Sequence, residues 1–190
     1  MPSAASISRL RLVQAVKGRR ILVQGPKLDI NTAQEVSRMM FKFNRSVGDI
    51  LVVFDSPGGS LMYGKGLYDA FRASRETVIG LVQGVADSAT FIALQGARIR
   101  LATANSTLLI HNAEVLYQGR VKYSSSEQEF LNVFRSRVKT LRYERQKLVK
   151  LLLEKANGKI SRRDLAKLLD AERKLSAQEA FEYGFIDGVV

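Results

Sequence analysis

Ser88 and His111 are the two residues of this sequence whose types and positions could support acyl-transfer chemistry. The chain has one histidine and no cysteine. Histidine is the side chain that ordinarily changes its charge between pH 5 and 8, so a general base working near neutral pH must be His111. It follows an apolar run over residues 107–110, where a predicted strand ends. A lone histidine there can equally be structural, and a metal site is not expected from one histidine without cysteine.

Ser88 is the candidate nucleophile. Residues 78–97 predict a buried strand, a tight glycine turn and a short helix that begins at Ser88. Such a turn exposes the hydroxyl at the end of the sheet, beside N–H groups that the first helical turn leaves unpaired. The stretch would therefore supply a nucleophile and half of an oxyanion hole. A serine that only caps the helix is the competing interpretation.

The second half of an oxyanion hole is predicted in Ser56-Pro-Gly-Gly59, which also follows a predicted strand. Two consecutive glycines allow positive φ and a close approach of the backbone to a ligand. The N–H of Gly59 would then face the same space as that of Ala89. Taken alone, this tetrapeptide is a common turn.

The elements that must position these residues alternate between strand and helix. This alternation implies a parallel sheet with right-handed crossovers, and such sheets carry their sites at the carboxyl ends of the strands. The predicted strands are 21–23, 50–54, 77–82, 98–101, 107–110 and 185–190, and the predicted helices are 32–43, 61–73, 89–94, 124–156, 160–169 and 176–183.

The helix predicted over residues 124–156 is unusually long for a globular domain. Lysines and arginines occupy one face, and an apolar stripe at helical spacing occupies the other. The stripe indicates either core packing or an arm that packs on a neighbouring subunit. Its members are Phe130, Val133, Phe134, Val138, Leu141, Leu148, Leu151 and Leu152.

The composition limits the classes of protein that remain. The 190 residues, 46% of them hydrophobic, predict one domain over residues 21–190 after a basic segment at residues 1–20. The net charge of +12 would suit nucleic acid, but the basic residues lie on predicted helices without interleaved aromatics, so nucleic acid is not expected as a ligand. No apolar run approaches the roughly 20 residues of a membrane helix. Without cysteine, nothing requires an oxidising compartment, and the cytoplasm is the expected location.

Four motifs occur in the same order as in the proteolytic subunits of the Clp protease and closely resemble that family. They are Ser56-Pro-Gly-Gly59, Gly84-Val-Ala-Asp-Ser88, Leu109-Ile-His-Asn112 with Tyr117-Gln-Gly119, and Leu175-Ser-Ala-Gln-Glu-Ala180 followed by Tyr183-Gly-Phe-Ile-Asp187. The resemblance runs from about Arg20 to the C-terminus. It implies an α/β fold of the ClpP/crotonase type, built of repeated ββα or βα units with a long protruding arm helix.

The resemblance implies a serine endopeptidase that hydrolyses unfolded or short polypeptides inside an oligomeric chamber, without a cofactor or metal. By motif position Ser88 is the nucleophile and His111 the base, with Gly59 and Ala89 as oxyanion-hole donors. Where the family carries the aspartate of its catalytic triad, this chain has Glu172, with Asp170 as the fallback. An extended substrate would be flanked on its two sides by Ser60, Leu61 and Met62 and by Val115, Leu116 and Tyr117.

The family also implies a homo-oligomer of stacked rings that takes polypeptide substrates. The family also implies an AAA+ ATPase partner, but the segment before Ile21 does not match the family's N-terminal gating loop, and this departure counts against such a partner. Two further departures flank the nucleophile. Asp87 stands where the family has a small apolar residue, and Thr90 replaces a glycine.

Three alternatives stay open from the sequence. The first is a catalytically silent Clp-like subunit with a structural or regulatory role. The second is a Ser–Lys peptidase in which Lys65 serves as the base. The third is a crotonase-like acyl-CoA enzyme, which would use oxyanion N–H groups without a triad.

Overall fold

A computed structural model describes residues 18–112 and 127–190, with side chains described from residue 131 in the second range. Within these residues, seven strands form one sheet and six helices accompany it. The strands are β1 (Arg20–Gln24), β2 (Ile50–Ser56), β3 (Val78–Asp87), β4 (Ile99–Ala102), β5 (Thr107–Leu109), β6 (Leu175–Ser176) and β7 (Gly188–Val189). The helices are α1 (Ile30–Phe43), α2 (Leu61–Arg72), α3 (Ala89–Leu94), α4 (Glu127–Ala156), α5 (Arg162–Ala171) and α6 (Ala177–Glu182).

The main path of the sheet has the order β1-β2-β3-β4-β7, and all its neighbours are parallel. The α/β fold of the ClpP/crotonase type, with a parallel sheet and a long helix, is therefore confirmed. The predicted boundary between a basic segment and a domain near residue 20 stays a prediction, because residues 1–17 lie outside the described ranges.

The central strand β2 explains why the sheet is buried on both faces. Its alternate residues point to opposite sides of the pleat. Ile50, Val52 and Phe54 belong to the main core, which α1, α2 and α3 help to build. Leu51 and Val53 belong to a second apolar cluster on the other face. A continuous apolar run is what a strand covered on both faces requires.

The strand β3 corrects the turn that the sequence predicted at Gly84. The strand runs through this residue to Asp87, because its first half pairs with β4 and its last three residues pair with β5. Gly84 has a φ of 122°, and a Cβ there would collide with the Asp55 carboxylate. That carboxylate accepts the N–H of Val85 at 3.1 Å. The glycine therefore makes an irregularity inside the strand, and the turn comes later, at Ser88.

The helix α1 begins earlier than the sequence predicted. The pattern Thr32-x-x-Glu35 at the start of the predicted helix 32–43 is typical of a capping box with Thr32 as the N-cap. In the structure Asp29 is the N-cap, and its carboxylate accepts the N–H of Thr32 at 3.0 Å. This hydrogen bond lowers the pKa of Asp29. Both residues can cap a helix, and the one that precedes Ile30 does so.

The apolar stripe of α4 is buried at the C-terminal end of the helix and exposed in its first half. At its C-terminal end Leu148, Val149, Leu152 and Ala156 are buried in the main core. In the first half Val133 and Val138 are 42% and 44% exposed. The helix has 30 residues, or about 45 Å at 1.5 Å per residue, so it extends well past the core that anchors it. No helix in the described ranges has the length and apolar character to cross a membrane.

Candidate active site

The turn at Ser88 aims its side chain out of the sheet. The residue has φ 54° and ψ −120°, a region that non-glycine residues rarely adopt and that costs about 1–3 kcal/mol. Two hydrogen bonds hold the turn: the N–H of Ser88 donates to the Leu109 carbonyl at 2.7 Å, and the N–H of Ile92 donates to the Ser88 carbonyl at 3.3 Å. The hydroxyl makes no capping hydrogen bond to α3. The interpretation of Ser88 as only a helix cap is therefore not supported.

His111 meets this hydroxyl directly. Its Nε2 lies 2.9 Å from the Oγ of Ser88, within hydrogen-bond reach of a nucleophile and its base. The parallel pairing of β3 with β5 explains the approach, because it sets Asp87 beside Leu109 at adjacent carboxyl ends. Ser88 follows one strand and His111 follows the other. When the imidazole proton is on Nδ1, Nε2 can accept the hydroxyl proton.

The glycine pair packs against the nucleophile turn. A Cβ at Gly58, which has a φ of 97°, would lie 2.5 Å from the Asp87 carbonyl oxygen and 3.0 Å from the Ala89 nitrogen. The pair is fixed from its other side, since Leu28 donates to the Gly58 carbonyl at 2.7 Å. Only glycine allows this approach of two backbones.

The two predicted oxyanion-hole donors line the same cleft as the nucleophile. Among the hydrogen bonds of the described residues, none uses the backbone N–H of Gly59 or Ala89 as its donor. Within the described part of the chain, both groups are therefore available to a ligand. A pair of converging N–H groups beside a nucleophile is the arrangement that stabilises a developing oxyanion.

A cleft of about 900 Å³ lies over these groups. Its lining includes Ser88, His111 and the predicted substrate residues Ser60, Leu61 and Met62. The other predicted substrate residues, Val115, Leu116 and Tyr117, lie outside the described residues. The cleft has room for several residues of an extended peptide.

Among the described residues, neither predicted triad acid forms a hydrogen bond or an ion pair with His111. Glu172 is exposed and follows α5 with a left-handed φ of 49°. Asp170 instead accepts from Asn112 Nδ2 at 2.7 Å and pairs with Arg145 at 3.0 Å. The Nδ1 of His111 is buried and has no hydrogen-bond partner in the described part of the chain. The assignment of Glu172 or Asp170 as the acid stays a prediction.

An ion pair between a buried carboxylate and a solvent-exposed lysine adjoins the nucleophile. Asp87 is 5% exposed, and its Oδ2 lies 3.1 Å from the Nζ of Lys174. Its Oδ1 is buried without a partner among the described residues, as is the Oγ1 of Thr90. The sequence identified Asp87 and Thr90 as departures from the family pattern, but no local signal pointed to Lys174. That lysine is distant in sequence and reaches Asp87 only through the fold.

A second polar cluster ties the loop after His111 to two helices. Arg145 of α4 donates from Nε to the Oδ1 of Asn112 at 2.8 Å and also pairs with Asp170. Sequence reasoning missed this role of Arg145, because nothing local separates it from the other basic residues of the helix. The cluster fixes the segment next to His111.

The lysine of the Ser–Lys alternative has another partner. Lys65 pairs with Glu144 of α4 at 2.8 Å, and it is not among the residues that line the cleft of Ser88. The geometry therefore favours His111 over Lys65 as the neighbour of the nucleophile. Within the described ranges, no three His, Cys, Asp or Glu side chains gather as a metal-ligand set.

Similarity to known proteins covers nearly the whole chain. Residues 6–190 match the family described as Clp protease. An ATP-dependent Clp protease proteolytic subunit of Chlorella vulgaris is 28% identical over 194 residues, spanning 100% of this chain and 90% of that relative. An ATP-dependent Clp protease proteolytic subunit 1 of Tropheryma whipplei (strain Twist) is 27% identical over 175 residues, spanning 90% of this chain and 80% of that relative. On this match, the chain belongs to the Clp protease family.

Proposed function

We propose that this protein is a serine-type endopeptidase with Ser88 as its nucleophile and His111 as its general base. The observation that carries the proposal is the 2.9 Å contact between Ser88 Oγ and His111 Nε2 at the head of a strained strand-to-helix turn. Membership of the Clp protease family supports the same chemistry. The pairing of nucleophile and base is the arrangement that activates a serine hydroxyl.

The reaction follows from these positions in two acyl-transfer steps. His111 Nε2 takes the hydroxyl proton as Ser88 Oγ attacks the peptide carbonyl carbon, and the oxyanion accepts hydrogen bonds from Gly59 and Ala89. The C–N bond then breaks, and His111 returns the proton to the leaving amine. Water attacks the resulting ester, His111 takes its proton, and the serine hydroxyl is restored as the carboxylic acid leaves.

The cleft favours a polypeptide as substrate. Ser60, Leu61 and Met62 lie along the cleft wall, where an extended peptide can pair through its backbone. Backbone pairing reads few side chains, so the site would tolerate many sequences. Selectivity would then come from enclosure of the site within an oligomer.

We further propose that α4 builds this oligomer. Its first half carries exposed apolar residues beyond the core of its own protomer, among them Leu131, Val133 and Val138. An apolar surface of this kind marks a protein contact. The relatives are named ATP-dependent proteolytic subunits, which supports an ATPase partner for this chain as well. The arrangement of the subunits in stacked rings and the cytoplasmic location stay predictions from the sequence.

The second candidate is a catalytically silent Clp-like subunit. The absence of a partner on His111 Nδ1 among the described residues favours it, because an imidazole without an acid is a weaker base. The crotonase-like alternative gains no such support, since it would leave the contact between Ser88 and His111 unused.

Hydrolysis of a short unstructured fluorogenic peptide tests the proposal. A peptide of this size needs no unfolding, so an ATPase is not required. We expect turnover by the wild-type protein, and a loss of at least about a thousand-fold in Ser88→Ala and in His111→Ala. Ser37→Ala is the matched control, because Ser37 is an exposed serine of α1 that bonds only its own helix at Ala33. Equal turnover in all four proteins would remove Ser88 and His111 from the chemistry.

A further inference from the structure

Two buried polar atoms with complementary roles lie beside the nucleophile. They are the Oδ1 of Asp87 and the Nδ1 of His111, and neither has a hydrogen-bond partner in the described ranges. A carboxylate oxygen can only accept a hydrogen bond, whereas Nδ1 must carry a proton if Nε2 is to accept one from Ser88. Buried polar atoms are rarely left unpaired, so each needs a partner of the kind that the other offers.

The backbone sets these two side chains on the same side of the sheet. Asp87 pairs in register with Leu109, and His111 follows Leu109 by two residues. Side chains two apart along an extended segment share a face. Both residues also line the cleft that contains Ser88. The register therefore places the carboxylate and the imidazole on one face of the sheet, where both line the same cleft.

The remaining carboxylates near this site have other surroundings. Glu172 is exposed, and Asp170 is engaged by Asn112 and Arg145. Asp87 uses only Oδ2 for Lys174, which compensates the charge of the buried carboxylate and leaves Oδ1 for a second partner. Of these three acids, Asp87 is the buried one, and its Oδ1 can still accept a hydrogen bond.

We propose that Asp87 is the positioning residue for His111. Its Oδ1 accepts a hydrogen bond from Nδ1–H and so holds the imidazole in the tautomer whose Nε2 accepts the Ser88 proton. The inference rests on the proposed function. The orienting carboxylate then comes from the residue before the nucleophile, and the two departures at Asp87 and Glu172 have one explanation. An aspartate precedes Ser88 where the family has a small apolar residue, and the longer glutamate stands where the family has its aspartate.

The rate at which Ser88 is labelled by a fluorophosphonate gives the first readout. Asp87→Asn keeps the shape of the side chain but turns an amide donor toward Nδ1, which favours the tautomer with its proton on Nε2. We expect this variant to be labelled about 10³–10⁴-fold more slowly than wild type, as when a triad acid becomes its amide. Lys174→Gln is the matched control for a purely structural ion pair, and it should lose far less.

The tautomer of His111 gives a second readout that needs no catalysis. Since the chain has one histidine, ¹⁵N-histidine labelling yields a single imidazole to follow by NMR. In the Ser88→Ala protein we expect a hydrogen-bonded Nδ1–H that disappears when Asp87→Asn is added and persists when Glu172→Gln or Asp170→Asn is added. Asp87→Ala, which restores the small residue of the family pattern, replaces Asp87→Asn should that variant fail to fold.

The two readouts separate the inference from the proposed function. If Asp87→Asn removes the Nδ1–H signal but the fluorophosphonate does not label Ser88, the role of Asp87 is upheld and the proposed peptidase activity is contradicted. The opposite result would be a wild-type protein that is labelled and whose Nδ1–H signal is unchanged by Asp87→Asn but lost in Glu172→Gln or Asp170→Asn. That result would overturn the inference about Asp87 and leave the proposed peptidase activity standing. If Asp87→Asn and Lys174→Gln slow the labelling equally and leave the Nδ1–H signal unchanged, Asp87 has only a structural role, in its ion pair with Lys174.

Discussion

Ser88 holds a backbone conformation that alanine and serine adopt only at a cost. Its φ of 54° lies in the range that glycine enters freely. The surrounding hydrogen bonds to Leu109 and Ile92 sustain this conformation, and its result is a hydroxyl aimed at His111. Strain of this kind is often found at functional sites, where the fold stabilises one otherwise unfavourable residue.

The strain can be measured with two variants that both lack the hydroxyl. We expect Ser88→Gly to be more stable than Ser88→Ala by about 1 kcal/mol, because relief of 1–3 kcal/mol of strain exceeds the extra freedom glycine gains in the unfolded chain. Thermal or urea unfolding at one protein concentration gives the comparison. An alanine variant as stable as the glycine variant would mean that the turn carries no strain.

At the scale of elements, the sequence predicted the order of strands and helices from residue 20 to the C-terminus, except for the two-residue strand β6. Periodicity and composition are local signals, and the strand at 50–54 and the helix at 89–94 reappear as β2 and α3 with small changes in their ends. The extension of β3 through Gly84 was not predictable, because it depends on pairing with β5 and on the Asp55 carboxylate. Both contacts join residues that are far apart in sequence, so a local sequence pattern cannot predict them.

The same distinction applies to the candidate site. Ser88, His111 and the Gly58–Gly59 pair could be singled out because each terminates a predicted strand, and parallel strands end at one edge. Lys174 and Arg145 could not, since their partners Asp87 and Asp170 are far away in sequence. Residues that act through tertiary contacts appear only when the fold brings them together.

The cap of α1 offers a test at this scale. Asp29→Ala should lower the Tm by a few degrees, whereas Thr32→Ala should change it less, because Asp29 and not Thr32 provides the capping oxygen. The hydrogen bond from Thr32 lowers the pKa of Asp29, so the cap stabilises the folded state above the pKa of the unfolded chain. The gap in Tm between wild type and Asp29→Ala should therefore shrink as the pH falls through the lowered pKa. A larger decrease in Tm for Thr32→Ala than for Asp29→Ala would show that Thr32 is the N-cap, as the sequence predicted.

At the scale of the whole molecule, the C-terminus is tied to the sheet by a buried charge. Arg100 is 8% exposed, and its guanidinium pairs with Asp187 at 2.6 Å and donates to the side-chain oxygen of Gln95 at 2.8 Å. The amide of Gln95 in turn donates to the Phe185 carbonyl. This network holds β7 and the segment before it against β4. Residues far apart in sequence therefore fix the C-terminus to the sheet.

The long helix α4 carries the prediction for assembly. Val138 is exposed in its first half, outside the core of the protomer. We expect Val138→Glu to shift the assembly toward smaller species in sedimentation velocity while leaving the circular dichroism of the protomer unchanged. Lys139→Gln, one residue along the same exposed turn, is the control and should keep the wild-type size. An unchanged oligomer in Val138→Glu would remove this face of α4 from the interface.

The most direct test of the account is the intact mass of the protein after treatment with a fluorophosphonate, a reagent that reacts with activated serines. The account predicts one adduct in the wild-type protein and none in Ser88→Ala or His111→Ala, because the hydroxyl of Ser88 reacts only with His111 beside it. An adduct that survives in Ser88→Ala, or that forms equally in His111→Ala, would contradict the pairing of these two residues as nucleophile and base. The absence of any adduct in folded, oligomeric wild-type protein would identify the silent subunit instead.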